Sequence, residues 1–438
     1  MINVAIGPEA AESTPGAVDR AAYLTQLLTL RSPLQAAPSW WVMLRESASL
    51  RVQEREIPSS RDEEWRFTNL ASLLATTFEA TTAVAISPEQ VPVLTEASLR
   101  LVFVNGVYAP ELSATDDRPA GLFLGTLAQA IAAGLDVATY LGQQAGGEET
   151  FALLNTASFS DAAVIWVDKN QVIATPIHLL FLASGAGVTA PRTLVMAERS
   201  SCLTLVEEWV SLDPSSHFSN AVSELWLGEN AEVNHTRLQR QGNTAFHIGK
   251  TAVSQARDSR YTCTAVSLGS HLSRHNLEVY QTGEQTKTTL NGLTLIEGEQ
   301  VSDTHSTIAL TCPYGHSQQV HKCIVDDRGH AIFNGRVIVP QAAQHTDAGQ
   351  LSRTLLLSPK ARVDTKPQLE IVADNVKCSH GATVGELEQD EIFYLQSRGI
   401  DAELARKLLI YAFAHEVLAQ IPIASLRSTL IDFVRHHP

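Results

Sequence analysis

The spacing of apolar residues predicts helices near the start of the chain, over residues 18–77. Apolar side chains recur there three or four positions apart, as they do on the buried face of an amphipathic helix. Ser39 is placed to cap a second helix that begins at Trp40. The acidic run at residues 61–66 predicts a third, short helix, because carboxylates favour the first turn. Residues 136–144 also have a helical pattern.

The pattern changes to strands between residues 159 and 376. Short β-branched runs are separated there by Gly, Asn and Glu, and the helical period is lost. A strand-rich region of this length exceeds one ordinary sandwich, which leaves a large barrel or a β-helix of stacked coils. Glycine spacings are irregular and give no clean repeat. The β-helix is favoured because hairpin signals are few, and Asn291-Gly292 is the main one.

Helical spacing returns in the last part of the chain. Thr383 and Glu386 match the Thr-x-x-Glu capping box, which predicts a helix from there to a stop at Gly399. Asp401 is placed to cap the next helix. That helix carries one stripe at spacings of four and three, formed by Leu404, Leu408, Tyr411, His415 and Leu418. The predicted domains are a mostly helical one at 1–150, a β-helix core at 151–382 and a helical one at 383–438.

Charge and composition narrow the set of partners. The chain has 438 residues and a formal net charge of −15. Such a surface repels phosphate backbones and anionic membranes, so neither nucleic acid nor a membrane is an expected partner. Five cysteines without paired spacing indicate a reducing compartment. Residues 1–15 lack the basic and apolar regions of a signal peptide, and no apolar run is long enough to cross a bilayer. These features predict a cytoplasmic protein that binds other proteins.

A thiol and an imidazole two residues apart, Cys378 and His380, form the most specific chemical feature. Soft and borderline metals bind both groups, and a spacing of two places both on one face of a strand. Two ligands cannot complete a four-coordinate site, which suggests a metal site shared between chains. The alternative is that Cys378 is a small buried residue and His380 an ordinary surface residue.

Other histidines and cysteines have similar spacings. These pairs are His271 with His275, Cys312 with His316, and His321 with Cys323. Each pair has the side chains to contact a metal, but a position on the solvated outer face of a coil explains it more simply.

The chain carries no recognisable catalytic motif. Gly249-Lys-Thr251 resembles the end of a phosphate-binding loop, but position 244 is Thr where that loop needs glycine. ATP hydrolysis by this chain is therefore not expected. The charged run at residues 61–66 is explained by local ion pairs at a helix start, with Trp65 and Phe67 as anchors, as well as by partner docking.

Seven runs follow one another in order along nearly the whole chain: residues 58–68, 155–157, 335–339, 341–347, 356–359, 366–371 and 374–385. Together they resemble the SufB/SufD family of iron–sulfur cluster assembly proteins. The resemblance is to the SufD branch, because SufB-type chains carry a cysteine-rich motif near the N-terminus and no cysteine here precedes Cys202. It implies a mainly β fold, in which a right-handed β-helix core is flanked by N-terminal and C-terminal α-helical domains.

The resemblance also implies a role as a non-catalytic subunit of the SufBCD scaffold, which helps to assemble a nascent iron–sulfur cluster. By position, His380 matches a SufD histidine at the interface with SufB, and Cys378 matches a neighbouring residue. The cluster would be transient and shared with SufB, while the partner SufC hydrolyses ATP and docks on the C-terminal helical domain. The surface predicted for that docking consists of Tyr411, Phe413, His415 and Glu416. Packing of this helix on its neighbours explains most of the same residues.

Two other functions stay open at this point. The chain would be the principal, SufB-like scaffold if it held a cluster alone. A β-helix carbohydrate-active enzyme would need paired carboxylates on one groove, for which Asp303, Asp326 and Asp327 are the suggestive acids. Binding of a reduced flavin to the complex and homodimerisation of the isolated chain are also left open.

Overall fold

Two long sheets form the centre of the molecule, and the chain passes from one to the other in every turn. The structure is a computed structural model that describes residues 18–34, 37–82 and 84–436. Its strands form a β-solenoid of about eight turns, with helices before and after it in the chain. The prediction of a β-helix core with flanking helices is therefore confirmed. The signal-peptide prediction concerns residues 1–15, which lie outside the described residues.

The strands of the described residues are, in chain order, β1 (Glu79–Ala80), β2 (Leu99–Val104), β3 (Val107–Tyr108), β4 (Leu122–Thr126), β5 (Ala163–Val167), β6 (Ile177–Ala183), β7 (Gly187–Thr189), β8 (Arg192–Ala197), β9 (Cys202–Ser211), β10 (Phe218–Leu227), β11 (Glu232–Arg240), β12 (Phe246–Gln255), β13 (Arg260–Leu268), β14 (Leu272–Gln281), β15 (Lys287–Ile296), β16 (Val301–Ala309), β17 (His316–Val325), β18 (His330–Val339), β19 (Asp347–Leu356), β20 (Arg362–Ile371) and β21 (Lys377–Glu386). From β8 onward, even-numbered strands pair in parallel with one another, and so do odd-numbered strands. We call the two sheets the even sheet and the odd sheet. They meet face to face through the side chains that point into the coil.

The helices of the described residues are α1 (Arg20–Thr29), α2 (Ser39–Gln53), α3 (Ala71–Leu74), α4 (Leu127–Ala132), α5 (Thr150–Ser158), α6 (Gln389–Ser397), α7 (Ala402–Leu418) and α8 (Ala424–His436). Helices α2 and α5 pack together at the N-terminal side, and α7 lies against β15 and β17 of the odd sheet. Asp401 caps α7 as predicted, because its Oδ1 accepts a hydrogen bond from Leu404 N at 3.0 Å. No helix in the part of the chain that the structure describes is both long and apolar enough to span a bilayer.

Four local predictions were wrong. Ser39 does not cap α2, because it is the first residue of that helix, and the N-cap residue Pro38 makes no side-chain hydrogen bond. Residues 136–144 contain only a 3₁₀ turn at Val137–Thr139. The capping-box pattern at residues 383–386 belongs to β21, because its pairing with β19 continues to Glu386 and the helix begins later, at Gln389. Strand β21 therefore extends past the predicted domain boundary at 382. Gly292 is not in a hairpin but in the middle of β15, where a Cβ would collide with the ring of His321 on β17.

A repeat of about 30 residues is present, and glycine does not mark it. Seven non-glycine residues adopt the left-handed conformation at matching corners of the coil: Asn170, Ser200, Asn230, Asp258, Gln285, Tyr314 and His345. From Ser200 onward, each lies two residues before a strand of the odd sheet. Each N–H donates to a carbonyl of the next turn, as Tyr314 N does to Gln344 O at 2.9 Å. This ladder fixes the register of the stacked turns, so a search for regular glycines could not find it.

The interior of the coil changes from apolar to polar along its axis. Ile165, Leu179 and Val195 belong to the apolar core of the first turns. In the middle turns, Glu207 is fully buried, and its Oε1 accepts hydrogen bonds from Thr193 Oγ1 and Ser223 Oγ, both at 2.7 Å. Buried polar groups of this kind stay stable only when they have partners. The solenoid therefore carries charge inside, held by contacts between neighbouring turns.

Candidate functional site

The solenoid ends in two strands that each have one free edge. Strand β21 is the last strand of the odd sheet and pairs only with β19. Strand β20 is the last strand of the even sheet and pairs only with β18. Their outer backbone groups form no ladder, and an edge of this kind readily accepts another strand. We call this region the open end.

Cys378 and His380 both lie on β21, at the open end. Cys378 is in register with Ala348 and His380 with Gln350 on β19. Ala348 and Gln350 are buried in the coil, so both residues of the pair are on the face that continues the interior. No further turn covers that face. Cys378 is consequently half-buried against the core and His380 is exposed.

The two candidate ligands differ in how available their atoms are. Burial raises the pKa of the Cys378 thiol; a hydrogen bond from the Ala348 backbone opposes this rise, and the nearby charge of Asp347 adds to it. Metal binding at Cys378 would have to release the thiol proton. The ring nitrogens of His380 have no hydrogen-bond partner among the described residues. His380 is thus the side chain that is free to bind.

Gln350 is the register neighbour of His380 on β19, a relation that no sequence motif indicated. Its Nε2 donates to Gln319 Oε1 at 2.9 Å, and Gln319 is in turn hydrogen-bonded to Ser306. The Oε1 of Gln350 is buried and has no partner. Since His380 is its register neighbour, Gln350 Oε1 could accept a hydrogen bond from a ring N–H, as the outer partners of metal-binding histidines commonly do. Residues 350 and 380 are 30 positions apart in the chain, so only the strand pairing reveals this relation.

The other His/Cys pairs lie elsewhere. His321 and Cys323 are buried inside the coil: burial lowers the pKa of His321 to about 4 and raises the pKa of Cys323 to about 12. His275 is also buried and contacts Thr251 Oγ1 at 3.0 Å. These three residues are therefore core side chains, and their predicted position on the solvated outer face was wrong. Cys312 lies in the turn before β17, and His316 begins that strand.

No group of three or more His, Cys, Asp or Glu side chains is arranged to hold a metal ion within residues 18–34, 37–82 and 84–436. The suggestive acids of the carbohydrate-enzyme alternative do not form a groove of paired carboxylates either. Asp303 is buried and ion-paired with Arg274, while Asp326 and Asp327 are in the turn between β17 and β18. That alternative has no support from the arrangement of these residues.

The predicted docking residues divide between two faces of α7. Phe413 and Glu416 face the solenoid: Lys322 Nζ donates to Phe413 O at 2.9 Å and contacts Glu416 Oε2 at 2.5 Å. Tyr411 and His415 face away from it, with Tyr411 Oη 3.2 Å from His415 Nδ1. Packing therefore explains Phe413, whereas Glu416 stays exposed while it pairs with Lys322, and Tyr411 and His415 lie on the face turned away from the solenoid.

The accessible face of α7 continues toward the start of the helix. Leu404 and Leu408 are 48% and 39% exposed, and they share the stripe of Tyr411 and His415. We call these four residues the outer stripe of α7. Phe393 on the neighbouring α6 is 69% exposed. Several large apolar side chains on two adjacent helices are typical of an interaction surface.

Comparison with known proteins gives the family. A model described as the SufBD core domain of the SUF system for iron–sulfur cluster assembly matches residues 180–413, and a model of the SufBD N-terminal region matches residues 35–179. The chain belongs to the SufBD family. This SufBD protein is 47% identical over 401 residues to an iron–sulfur cluster assembly SufBD family protein of Synechocystis sp., with 88% of each chain covered. It is 33% identical over 384 residues to the iron–sulfur cluster assembly protein SufD of Escherichia coli, with 86% of this chain and 88% of the relative covered.

A third relative, a chloroplastic protein of Arabidopsis thaliana, is 35% identical over 429 residues and covers 93% of this chain and 88% of its own length. The two family models together cover residues 35–413, which include helices α2 to α6, the solenoid and most of α7, whereas α1 and α8 lie outside them. The resemblance inferred from seven sequence runs is thus confirmed, and this SufBD protein is a component of SUF-type iron–sulfur cluster assembly. The roles of Cys378, His380 and the α7 residues stay predictions.

Proposed function

We propose that this SufBD protein is a non-catalytic, SufD-type subunit that contributes His380 to a nascent iron–sulfur cluster at an interface with a SufB partner. The observation that carries the proposal is the position of His380: exposed, without a hydrogen-bond partner, and on the last strand of the open end. Imidazole is an accepted iron ligand in iron–sulfur sites. The cluster is cargo of the assembly machinery, held by few ligands and therefore easily passed on.

The open end supports a strand-to-strand interface with SufB. Strands β20 and β21 each span ten residues and leave one edge without a ladder. A second solenoid that pairs with both edges would satisfy these groups and would cover Cys378 and His380. Ligands from the partner would then complete the coordination that two residues cannot.

The test is co-expression of the chain with SufB and SufC, followed by measurement of iron and acid-labile sulfide per purified complex. His380→Ala should leave the complex intact and remove most of the cluster. His436→Ala, at an exposed histidine on α8, is the matched control and should change nothing. Unchanged iron and sulfide in His380→Ala would exclude the proposed role of this residue.

Cluster retention by the isolated chain distinguishes the SufD-type proposal from the alternative of a principal, SufB-like scaffold. The SufD-type proposal expects the isolated chain to retain no stable cluster after reconstitution with iron and sulfide, because at most two ligands come from it. Retention of one cluster per chain, lost in His380→Ala, would instead support the scaffold alternative. The same preparation shows by light scattering whether the isolated chain forms a homodimer through the open end.

We further propose that the outer stripe of α7 binds the SufC ATPase. The stripe combines apolar area from Leu404 and Leu408 with the polar ends of Tyr411 and His415. Leu408→Glu should weaken SufC binding at least tenfold, because a carboxylate would be buried without a partner. Val107→Glu, at a more exposed apolar residue of β3, should not weaken it. Equal binding by both variants would place the ATPase elsewhere.

A further inference from the structure

A cavity of about 730 Å³ lies between the even sheet and the N-terminal region. Its floor is the outer face of the even-sheet strands from β10 to β20, and its roof consists of residues 54–65 and 146–152. This volume is in the range of small-molecule binding sites. The cavity lies on the outer face of the even sheet, whereas Cys378 and His380 are on the odd sheet. The function proposed above gives it no role.

The roof is fastened to the floor by the charged run at residues 61–66. Trp65 lies over the guanidinium of Arg274, with 3.9 Å between the guanidinium carbon and the ring centre. Glu64 Oε2 is 3.2 Å from His305 Nδ1, and Glu63 Oε1 is 2.8 Å from Lys366 Nζ. The prediction of local ion pairs in this run was therefore wrong, because these pairs reach the solenoid. They close one side of the cavity.

One wall contains two carboxyl groups that share a single lysine. Lys250 Nζ lies 2.8 Å from Glu149 Oε1 and 2.7 Å from Glu278 Oε1. Tyr280 Oη donates to Glu278 at 2.6 Å, and Asn276 Nδ2 donates to Glu149 at 3.0 Å. Two carboxylates against one ammonium leave one negative charge unmatched. A proton or a second cation must supply the balance.

Two of the remaining cations of the lining, Arg274 and Arg336, are already matched. Arg274 is ion-paired with Asp303, and Arg336 makes two hydrogen bonds to Glu370, at 2.6 and 2.8 Å. At the rim, Glu54, Glu56 and Arg55 have no partner among the described residues. The excess charge of the cavity is therefore negative, and no buried cation is free to receive an anion.

Toward the other end of the floor, the cavity is lined by a side-chain amide that makes no hydrogen bond to the described residues. Asn334 is only 9% exposed and lines the cavity, yet its side chain makes no hydrogen bond in the part of the chain that the structure describes. Leaving a buried amide without partners is unfavourable, so a ligand that hydrogen-bonds to it would recover part of this cost. Asn334 is on β18, and Glu278 is on β14, two strands away in the even sheet. Two strand spacings are about 10 Å.

We propose that this cavity binds an elongated organic polycation, with one ammonium group against Glu149 and Glu278 and another donating to the Oδ1 of Asn334. The unmatched charge selects a cation, and the two polar ends require a ligand about 10 Å long. A linear polyamine has this length and spacing of charge. The two polar ends of the site lie on β14 and β18 and not on β21, the strand of Cys378 and His380, so its occupancy can be measured without a cluster.

The site should bind more weakly in acid. Burial raises the pKa of Glu278, Lys250 acts against this shift, and Glu149 adds to it. Below that pKa the carboxyl group is neutral and the cation must displace a proton. Two ionisable side chains from other parts of the fold, Glu149 and Lys250, face the Glu278 carboxyl group. Tyr280 lies on the same strand as Glu278, and Arg336 also lines the cavity. Affinity should therefore rise as the pH increases through the range in which Glu278 loses its proton.

The test uses spermidine as the probe, titrated into the complete chain by calorimetry in 150 mM salt. We expect saturable binding of one spermidine, at least tenfold weaker in Glu278→Gln and about three- to tenfold weaker in Asn334→Leu. Glu299→Gln, at an exposed carboxylate outside the cavity, should leave the affinity unchanged. Uncharged 1,8-octanediol, of similar length, should not bind.

Two results would overturn the proposal. One is binding that does not saturate, or that falls equally in Glu299→Gln, because it would reflect only the net charge of the surface. The other is wild-type affinity in both cavity variants. Asn334→Asp gives an independent arm, since an added carboxylate at this end should tighten binding; an unchanged or weaker affinity in a variant with wild-type circular dichroism would contradict the site.

Discussion

The middle turns and the open end of the solenoid place similar side chains in opposite situations. His235, Cys263, Gln319, Gln350 and His380 occupy successive turns of one interior column, with Leu290 between Cys263 and Gln319. All but the last are buried, and each is covered by another turn. His380 has no turn above it. The same position in the repeat is thus part of the core in the middle and an available ligand at the end.

The difference shows how a stacked fold can produce a site without a special motif. The inner turns pair buried polar groups with groups of neighbouring turns, as Glu207 Oε1 does with Thr193 and Ser223. The last turn lacks one neighbour, so its interior-facing side chains and backbone edge have unused binding capacity. Changes in the middle should therefore affect stability, and changes at the open end should affect binding.

The largest expected effect is at Glu207. Its Oε2 is 3.3 Å from His235 Nε2, an ionic contact between two fully buried side chains. Glu207→Ala would leave the imidazolium and two hydroxyl groups without their partner, and we expect a loss of about 3–5 kcal/mol in the free energy of unfolding. Denaturant unfolding followed by circular dichroism measures it. Glu386→Ala, at the exposed end of β21, is the control and should change stability by less than about 0.5 kcal/mol.

Much of the fold was predictable from the sequence, but the buried charges were not. The strand-rich region, the flanking helices, the cap at Asp401 and the stop at Gly399 follow from local patterns, and the structure contains all of them. Glu207 and His235 are partners only because strands 28 residues apart stack. Local sequence carries no signal for such a pairing.

The errors have the same origin. The capping-box pattern of residues 383–386 was overridden by the ladder between β19 and β21. The repeat was hidden because residues such as Tyr314 and His345 adopt positive φ where glycine is the usual residue. Cys378 and His380 could be selected by chemistry alone, whereas Gln350 could be connected to them only through strand register.

The second-largest expected effect is a pH dependence of the free energy of unfolding, which arises from His235 in the middle turns. Burial acts to lower the pKa of His235, but contacts with Cys263 and Glu207 outweigh it and raise the pKa to about 9. The unfolded value is about 6.5, so the added stability is complete below pH 6.5 and is lost as the pH rises through 9. The loss should be on the order of 2–3 kcal/mol. Unfolding midpoints from pH 6 to 10 measure it, and His235→Asn should flatten that slope.

The third prediction compares the stability effects of substitutions on the two faces of α7. Phe413 packs under Lys322, with the ammonium 4.5 Å from the ring centre, whereas Leu408 is on the outer stripe. Phe413→Ala should destabilise the protein by about 1–2 kcal/mol through lost packing and cation–π contact. Leu408→Ala should cost less than about 0.5 kcal/mol. Thermal unfolding of both variants tests this, and equal losses would mean that the outer stripe is also a packing surface.

The smallest expected effect on stability is at His380, and it is the most informative for function. The side chain is exposed and has no hydrogen-bond partner among the described residues, so His380→Ala should change the free energy of unfolding by less than about 0.5 kcal/mol. Denaturant unfolding of the isolated variant checks this value before any complex is formed. A loss above about 1 kcal/mol would mean that the ring is held by contacts like those of the middle turns. A His380→Ala variant that keeps full stability and yet loses the cluster would show that this side chain serves binding and not folding. This is the outcome expected if the missing turn above residue 380 is what distinguishes it from the buried residues of the same interior column.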